Sequence, residues 1–522
     1  MKEVIQAIHP SEHEDYLRDE ARRPGSAVSI SFPRTEDEIR QILVAVQAGG
    51  LAVTTQGART GITGGAVPQG GHILNLSRMD RILGLRHDKA GNGFFVTVQP
   101  GVVLSELRAA IEAKSFDTAG WTGDALAALA EFRESGAWFF PPDPTETSAT
   151  LGGMVACNAS GACSFHYGPM RRPVRSLRVV LPDGDTLSLR RGCDRACGRA
   201  FAVTTASGRV LRGNVPSYVM PDVKNAAGYH AAADMDLVDL FVGSEGTLGI
   251  ISEIEVALLP SPVCRWGVMA FFPAEAPAVA FVESVRGESG ARRPVAIEFF
   301  DWHSLNLLRG QKATHPAFKE IPAMPAEFDT GIYVEYHGDE PEVTDAVERM
   351  LEAMAAAGGS AEATWVAATD GELERLKFFR HAVPESVNSL IAERKKTHSE
   401  IAKLGTDMAV PDVHLAQALN MYRRGLAVAG LDFVMFGHIG DNHLHVNILP
   451  RNVRDYEVGK DLYLQWARAV VGWGGTVSAE HGIGKFKVAL LREMYGDDGI
   501  RQMREVKRIF DPAGKLNPGN LF

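Results

Sequence analysis

Four of the chain's 16 histidines, His438, His443, His445 and His481, fall in one short C-terminal stretch, and Glu480 stands immediately before the last. Imidazole nitrogens and a carboxylate oxygen are the donors a borderline divalent metal takes, and an extra imidazole beside them suits proton transfer. His438 and His445 lie on either side of Gly440-Asp441-Asn442, a turn signal, so both can point into one site. If the segment after the turn is a strand, His443 and His445 share one face. Glu480 would come from a later loop as a third ligand. Two histidines and one carboxylate leave coordination positions open, as a catalytic metal needs. Zinc is the first choice, and Fe(II) or Mn(II) suits the same set. Asn447, just past His445, is a candidate contact for a substrate hydroxyl or carboxylate.

A second stretch lies far upstream. Residues 57–65 read Gly-Ala-Arg-Thr-Gly-Ile-Thr-Gly-Gly. Backbone N–H groups in such a loop converge on an anion, and the missing Cβ atoms let a phosphate approach. The spacing fits neither the Rossmann nor the Walker pattern.

These groups need elements to hold them. Residues 35–38, Thr-Glu-Asp-Glu, form a capping box. Ile39, Ile42, Leu43 and Val46 follow at helical spacing, and Gly49-Gly50 stops the helix. Residues 51–55 read as a buried strand that runs into the glycine loop. Residues 94–99 predict a strand and 104–114 a helix. Pro260-Ser261-Pro262 is the best linker. Beyond it the order is strand 266–272, helix 274–286, strand 294–300, strand 331–337, helix 342–357 and strand 360–366. That is a βαββαβ unit, an antiparallel sheet with helices on one face. Residues 370–430 read as mostly helical. A strand over 432–437 then turns into another over 443–449, with the histidines at the turn. The tail from Asp511 to Phe522 reads as extended and rich in Pro and Gly.

Composition narrows the class. The chain has 522 residues, 45% hydrophobic and 23% charged, too long for one core, so two or three domains are expected. Net charge is −10 and no basic run tracks phosphates, which argues against a nucleic-acid partner. No apolar span reaches membrane length, and the N-terminus lacks a signal-peptide core. Five cysteines, Cys157, Cys163, Cys193, Cys197 and Cys264, make no disulfide framework, and a reducing cytoplasm fits them best. Cys193 and Cys197 have no second pair after them, so they read as plain thiols rather than cluster ligands.

Three further segments join the glycine loop. They are Pro141-Pro142-Asp143-Pro144, residues 148–161 (Ser-Ala-Thr-Leu-Gly-Gly-Met-Val-Ala-Cys-Asn-Ala-Ser-Gly), and residues 240–251 with Gly243-Ser244-Glu245-Gly246-Thr247-Leu248-Gly249-Ile250. In this order they resemble the FAD-binding domain of the vanillyl-alcohol-oxidase family. The C-terminal histidine motifs and the closing Leu516-Asn517-Pro518-Gly519-Asn520 extend the resemblance over nearly the whole chain. It implies an α+β protein. A PCMH-type FAD-binding domain of two α+β subdomains would occupy residues 1–260. A ferredoxin-like antiparallel-sheet cap would occupy 261–450, and 451–522 would return to the FAD domain. FAD would be bound by Gly57, Arg59, Thr60, Gly61, Gly64 and Gly65 of the first loop. Pro142, Asp143, Thr150, Gly152, Gly153, Asn158 and Gly161 would follow from the second region, and Glu245, Gly249, Ile250 and Asn517 would complete the set. Some members tether the flavin through a histidine in the first loop. Residues 59–63 contain none, so non-covalent FAD is implied.

The histidine motifs are similar to those of the D-2-hydroxyacid dehydrogenase branch. That resemblance implies His438, His445 and Glu480 as ligands of a divalent metal and His481 as the base. Arg380 matches the branch's carboxylate-gripping arginine. Lys403 is offered as a further cation ahead of Asp407-Met408-Ala409-Val410-Pro411, at an offset that differs from the common one. The branch usually reads Gly-Asp-Gly-Asn-Leu-His. Here residues 440–445 read Gly-Asp-Asn-His-Leu-His, so His443 replaces an Asn that shapes the substrate pocket and could touch substrate or compete as a ligand. The implied reaction oxidises a D-2-hydroxy acid, D-lactate-like, to the 2-oxo acid. Electrons would pass to a non-nicotinamide acceptor such as a quinone or an electron-transfer flavoprotein, in the cytoplasm or at the membrane surface. Two other readings share this fold: a non-catalytic flavoprotein subunit of a glycolate-oxidase-type complex, and a non-redox enzyme like alkyl-glycerone-phosphate synthase.

Overall fold

The structure, a computed structural model, describes residues 5–319 and 321–522. Helix Glu36–Ala48 opens where the Thr35 hydroxyl accepts the Glu38 N–H, and it buries Ile39, Ile42, Leu43 and Val46. The return half of the capping box is shifted by one residue, because Glu38 accepts from the N–H of Arg34. The helix covers a small sheet in which Ser29–Ser31 and Val53–Gln56 both pair in parallel with His72–Asn75. A parallel pair needs a crossover. Here the crossover between Val53–Gln56 and His72–Asn75 is the glycine-rich loop itself, which is thereby pinned at both ends.

A second subdomain is a five-stranded antiparallel sheet in the order Ile82–Asp88, Gly93–Val98, Ile250–Ala257, Val174–Val180, Thr186–Arg190. Helices Leu104–Glu112 and Gly123–Glu134 bury Leu104, Leu107, Ile111, Leu129 and Phe132 in one core with it. Together the two sheets form the α+β architecture expected for the first domain.

Past Pro260 comes the third sheet. Its first four strands in chain order are Cys264–Phe272, Ala296–Phe300, Thr330–Gly338 and Trp365–Ala367. In space the fourth lies beside the first, the first beside the third and the third beside the second, with antiparallel neighbours throughout. That is the split βαβ arrangement, with Glu275–Arg286 and Glu340–Ala356 as crossovers. It differs from the sequence reading in one element. Helix Trp302–Thr314 is inserted between the second and third strands, capped by the Asp301 side chain.

The sheet then extends beyond its second strand. Phe299 and Phe300 pair with Gly437 and Phe436 of the strand Phe433–His438, which folds back onto His443–Ile448. This hairpin sets His438 opposite His443 and Phe436 opposite His445. The tail closes the molecule differently. Val53 bridges in parallel to Leu516, so the chain's end adds to the first sheet beside the glycine loop.

Candidate functional site

A cavity of about 330 Å³ runs between the first two sheets and the C-terminal segments. That is the size of a ligand pocket. Residues 55–63 form one wall, residues 144–146, 149–150 and 152–154 another, and Glu245, Gly246, Gly249, Ile251, Asn517 and Asn520 close it. Two hydroxyls at this wall, Thr55 Oγ1 and Thr150 Oγ1, are buried without a partner in the protein. A Cβ at Gly57 would come within 2.2 Å of Thr150 Oγ1, whereas one at Gly61 would enter open space. A cradle shaped by missing side chains and edged by unsatisfied hydroxyls suits a phosphate-bearing ligand.

Of the expected dinucleotide residues, Gly57, Arg59, Thr60, Gly61, Gly65, Thr150, Gly152, Gly153, Glu245, Gly249 and Asn517 line this cavity. The others support it from behind. Gly64, at φ +76°, backs onto the Phe486 ring. The Pro142 carbonyl accepts from Arg108 and Asp143 Oδ2 from the Cys163 N–H. Asn158 caps helix Leu151–Cys157 in a left-handed conformation, and its side chain accepts from the Arg171 N–H. Gly161 packs so tightly on Asp143 that no Cβ fits. Ile250 is fully buried in the core, and its neighbour Ile251 faces the cavity. Successive strand residues point to opposite faces, and the resemblance had put the contact one residue early. Asn520 lines the cavity unanticipated, its side chain donating to the Glu245 carbonyl.

The cavity wall is completed by Glu480 and His481. This dipeptide is also the edge of the histidine cluster. His438 Nε2 lies 3.2 Å from Glu480 Oε2 and His445 Nε2 lies 3.9 Å from it. Nitrogen and oxygen donors of His438, His443, His445 and Glu480 all fall within 4.8 Å of one another. The outer faces of these groups are held. His438 Nδ1 is 2.6 Å from Glu298 Oε1, and His445 Nδ1 is 3.1 Å from the Thr406 carbonyl. Glu480 receives Lys224 Nζ and the Ser160 hydroxyl. A ring nitrogen fixed by an acceptor leaves the opposite nitrogen aimed at an ion, the usual support of a metal-binding histidine.

Electrostatics follow from burial and these partners. Burial disfavours a charged His438, yet Glu298 and Glu480 outweigh it and raise its pKa to about 10. Burial likewise opposes ionised Glu480, but His438 and Lys224 hold it well below the carboxylate range. Burial, reinforced by the neighbouring imidazoles, keeps His445 well below its usual value. Burial pulls His481 down to about 4 against the attraction of Asp407, so its ring is neutral. Asp407 is fully buried and accepts the backbone N–H of both Glu480 and His481, at 3.1 and 3.0 Å. Lys487 Nζ closes on the same carboxylate at 2.6 Å.

Arg380 lies on helix Asp370–Lys395, with Nη1 3.9 Å from Glu335 Oε2 and its Nε buried and unpartnered. Burial opposes its charge, but Glu298, Tyr333 and Glu335 raise its pKa further. Arg380 and His438 thus share Glu298 as an electrostatic partner. Lys403 behaves differently. Its Nζ donates to Asn388 at 2.7 Å, which ties it to the helix rather than to the imidazoles. The Asn447 side chain is buried and donates to the His445 carbonyl. Cys193 and Cys197 are free and exposed. Lys224, Glu298 and Asp407 escaped sequence reasoning as site residues. Only Asp407 stood in a segment that had drawn notice.

A protein with this cavity and fold belongs to the FAD-binding class. Residues 265–521 match the family described as "FAD linked oxidases, C-terminal domain", and residues 29–120 and 118–190 match "FAD binding domain". The chain belongs to the FAD-linked oxidase family. It is 29% identical over 518 residues to a "D-lactate dehydrogenase" of Anaerostipes hadrus, covering 98% of this chain and 93% of that protein. It is 27% identical over 498 residues to "Glycolate oxidase subunit GlcD" of Bacillus subtilis, covering 95% and 88%. It is 28% identical over 530 residues to "D-2-hydroxyglutarate dehydrogenase" of Xanthomonas citri pv. viticola, covering 98% and 93%. Among solved structures, an alkyldihydroxyacetonephosphate synthase is alike with TM-score 0.62 at 14% identity, covering 99% of this chain and 82% of that one. At that identity the likeness is one of fold. Among the described residues no helix is long and apolar enough to cross a membrane.

Proposed function

We propose that this chain oxidises a D-2-hydroxy acid to the 2-oxo acid with non-covalent FAD and a divalent metal. The observation that carries the reading is the shared dipeptide: Glu480 and His481 line the flavin cavity, and Glu480 also belongs to the imidazole cluster. In this reading residues 1–260 hold the dinucleotide, residues 261–450 supply most of the substrate side, and residues 451–522 join the two.

FAD, when bound, supplies the acceptor for the α-hydrogen and its two electrons. A divalent ion held by His438, His445 and Glu480, zinc in the first instance, supplies Lewis acidity that lowers the pKa of a substrate hydroxyl. The donor set fits such an ion. His438, His445 and Glu480 present nitrogen and oxygen donors within 4.8 Å of one another, steadied from outside by Glu298, the Thr406 carbonyl and Lys224.

The chain's own residues do the rest. Neutral His481 takes the hydroxyl proton at an imidazole nitrogen, a service worth about 10²–10⁴-fold. Asp407 holds the His481 backbone and faces its ring. Arg380, whose buried Nε is unpartnered, grips the substrate carboxylate. Reoxidation falls to a quinone or an electron-transfer flavoprotein. Purified protein should be yellow, and an anaerobic screen of glycolate, D-lactate, D-2-hydroxyglutarate and bulkier D-2-hydroxy acids should bleach it with at least one of them. If dithionite bleaches the flavin and no hydroxy acid does, the reading is wrong. The same screen separates it from a non-redox synthase or a non-catalytic subunit.

A further inference from the structure

We infer that His443 is a fourth protein ligand of the metal, so that this chain holds its ion with three imidazoles and one carboxylate. The inference rests on the metal component of the function proposed above and extends it. His443 is fully buried, and neither ring nitrogen makes a hydrogen bond. A buried, unsatisfied polar group costs about 1–3 kcal/mol, so an imidazole placed this way calls for a partner. Its surroundings name one. The ring centroid lies 4.4 Å from that of His445 and 5.4 Å from that of His438, and His443 belongs to the set of donors within 4.8 Å of one another.

The ring's orientation follows the pattern of its neighbours. His443 Nε2 sits 3.1 Å from Asp407 Oδ1, close to an acceptor though out of line for a hydrogen bond. His438 has Glu298 in that outer position and His445 has the Thr406 carbonyl. With Nε2 against a carboxylate, Nδ1 is the nitrogen left to carry a lone pair inward. Strand geometry makes this possible. His443 and His445 are two residues apart on the strand His443–Ile448, and His438 pairs directly across from His443, so all three rings share one face.

A third imidazole shifts the site away from the oxygen-rich preference of Mn(II) and Mg(II) and toward Zn(II), Co(II), Ni(II) or Fe(II). It also reassigns His443 from substrate contact to metal support.

The test compares the full-length protein with His443→Asn, a neutral residue without an imidazole. Copper(II)-loaded samples examined by pulsed EPR should report three coordinated imidazoles in the wild type and two in the variant. Zinc content after dialysis against a chelator should stay near one equivalent in the wild type. The variant should release zinc faster by more than the roughly 10–100-fold that loss of an outer partner costs. Circular dichroism and flavin content, unchanged between the two, would exclude misfolding as the cause. Two imidazoles in both proteins, or equal zinc retention, would overturn the assignment while leaving the proposed reaction standing. A wild-type protein that binds no ion would overturn the assignment together with the metal component of the proposed function.

Discussion

Asp407 Oδ2 accepts the backbone N–H of His481 at 3.0 Å and lies 3.4 Å from Nδ1 of the same residue's ring. One buried carboxylate thus fixes both the position and the tilt of the proposed base. It also takes the Ser478 hydroxyl and Lys487. Asp407→Ala would leave Lys487 without its counter-ion, and breaking such a buried pair costs about 3–5 kcal/mol. Thermal denaturation should show a markedly lower Tm. Asp407→Asn keeps the volume, but its amide must turn an N–H toward existing donors. That variant should fold, hold flavin and lose kcat far more than KM in steady-state assays.

His481→Gln tests the base itself. Glutamine spans a similar length and has no basic nitrogen. Flavin absorbance should persist, and anaerobic reduction by the best D-2-hydroxy acid should slow by about 10²–10⁴-fold. Stopped-flow bleaching at the wild-type rate would remove His481 from the reaction.

The sequence displayed Glu480 and His481 side by side, but not Asp407's role, and the reason is physical. Turn signals and period-two alternation are local, so the hairpin that gathers His438, His443 and His445 was legible from neighbouring residues alone. The βαββαβ order was legible for the same reason, since each strand and crossover carries its own pattern. Helix Trp302–Thr314 was not, because its apolar spacing is weak and its start depends on Asp301, which also accepts from the Met435 N–H of a distant strand. Lys224 meets Glu480 from 256 residues away, a contact set by how distant parts of the chain pack together. Glu298 sits inside an apolar strand where alternation would place a packed residue, and only the pairing with the Phe433–His438 strand reveals its service to His438.

The glycine loop makes a sharper prediction than its motif does. A Cβ at Gly61 would meet no protein atom within 4 Å. Gly61→Ala should therefore leave the Tm of flavin-free protein nearly unchanged, while FAD content after purification falls. Gly57→Ala should lower both, because its Cβ would stand 2.2 Å from Thr150 Oγ1. Equal FAD retention in wild type and Gly61→Ala would show that the cofactor does not approach that position.

Arg380→Lys keeps the charge and loses the planar fork. Loss of a charge-assisted hydrogen bond is worth about 1.5–3 kcal/mol, so KM for the hydroxy acid should rise by roughly 10–100-fold with a smaller change in kcat. A neutral alcohol substrate analogue should show no such difference between the two proteins. An unchanged KM would place the carboxylate elsewhere, with Lys403 or Asn447 next in line.

Stability should carry a pH signature far from the site. His72 is fully buried between the hydroxyls of Ser29 and Ser31, at 2.9 and 2.8 Å, and burial lowers its pKa from 6.5 to about 4. Between those values the unfolded chain binds a proton that the folded one refuses. Its contribution is therefore fully present above pH 6.5 and is lost as pH falls toward 4. The whole shift corresponds to about 3 kcal/mol. Carboxylates elsewhere also titrate in acid, so the informative quantity is a difference in slope. Tm measured from pH 7 to 4.5 should fall more steeply for the wild type than for His72→Asn, which has nothing to protonate. Parallel curves would mean that the imidazole is already charged in the folded sheet.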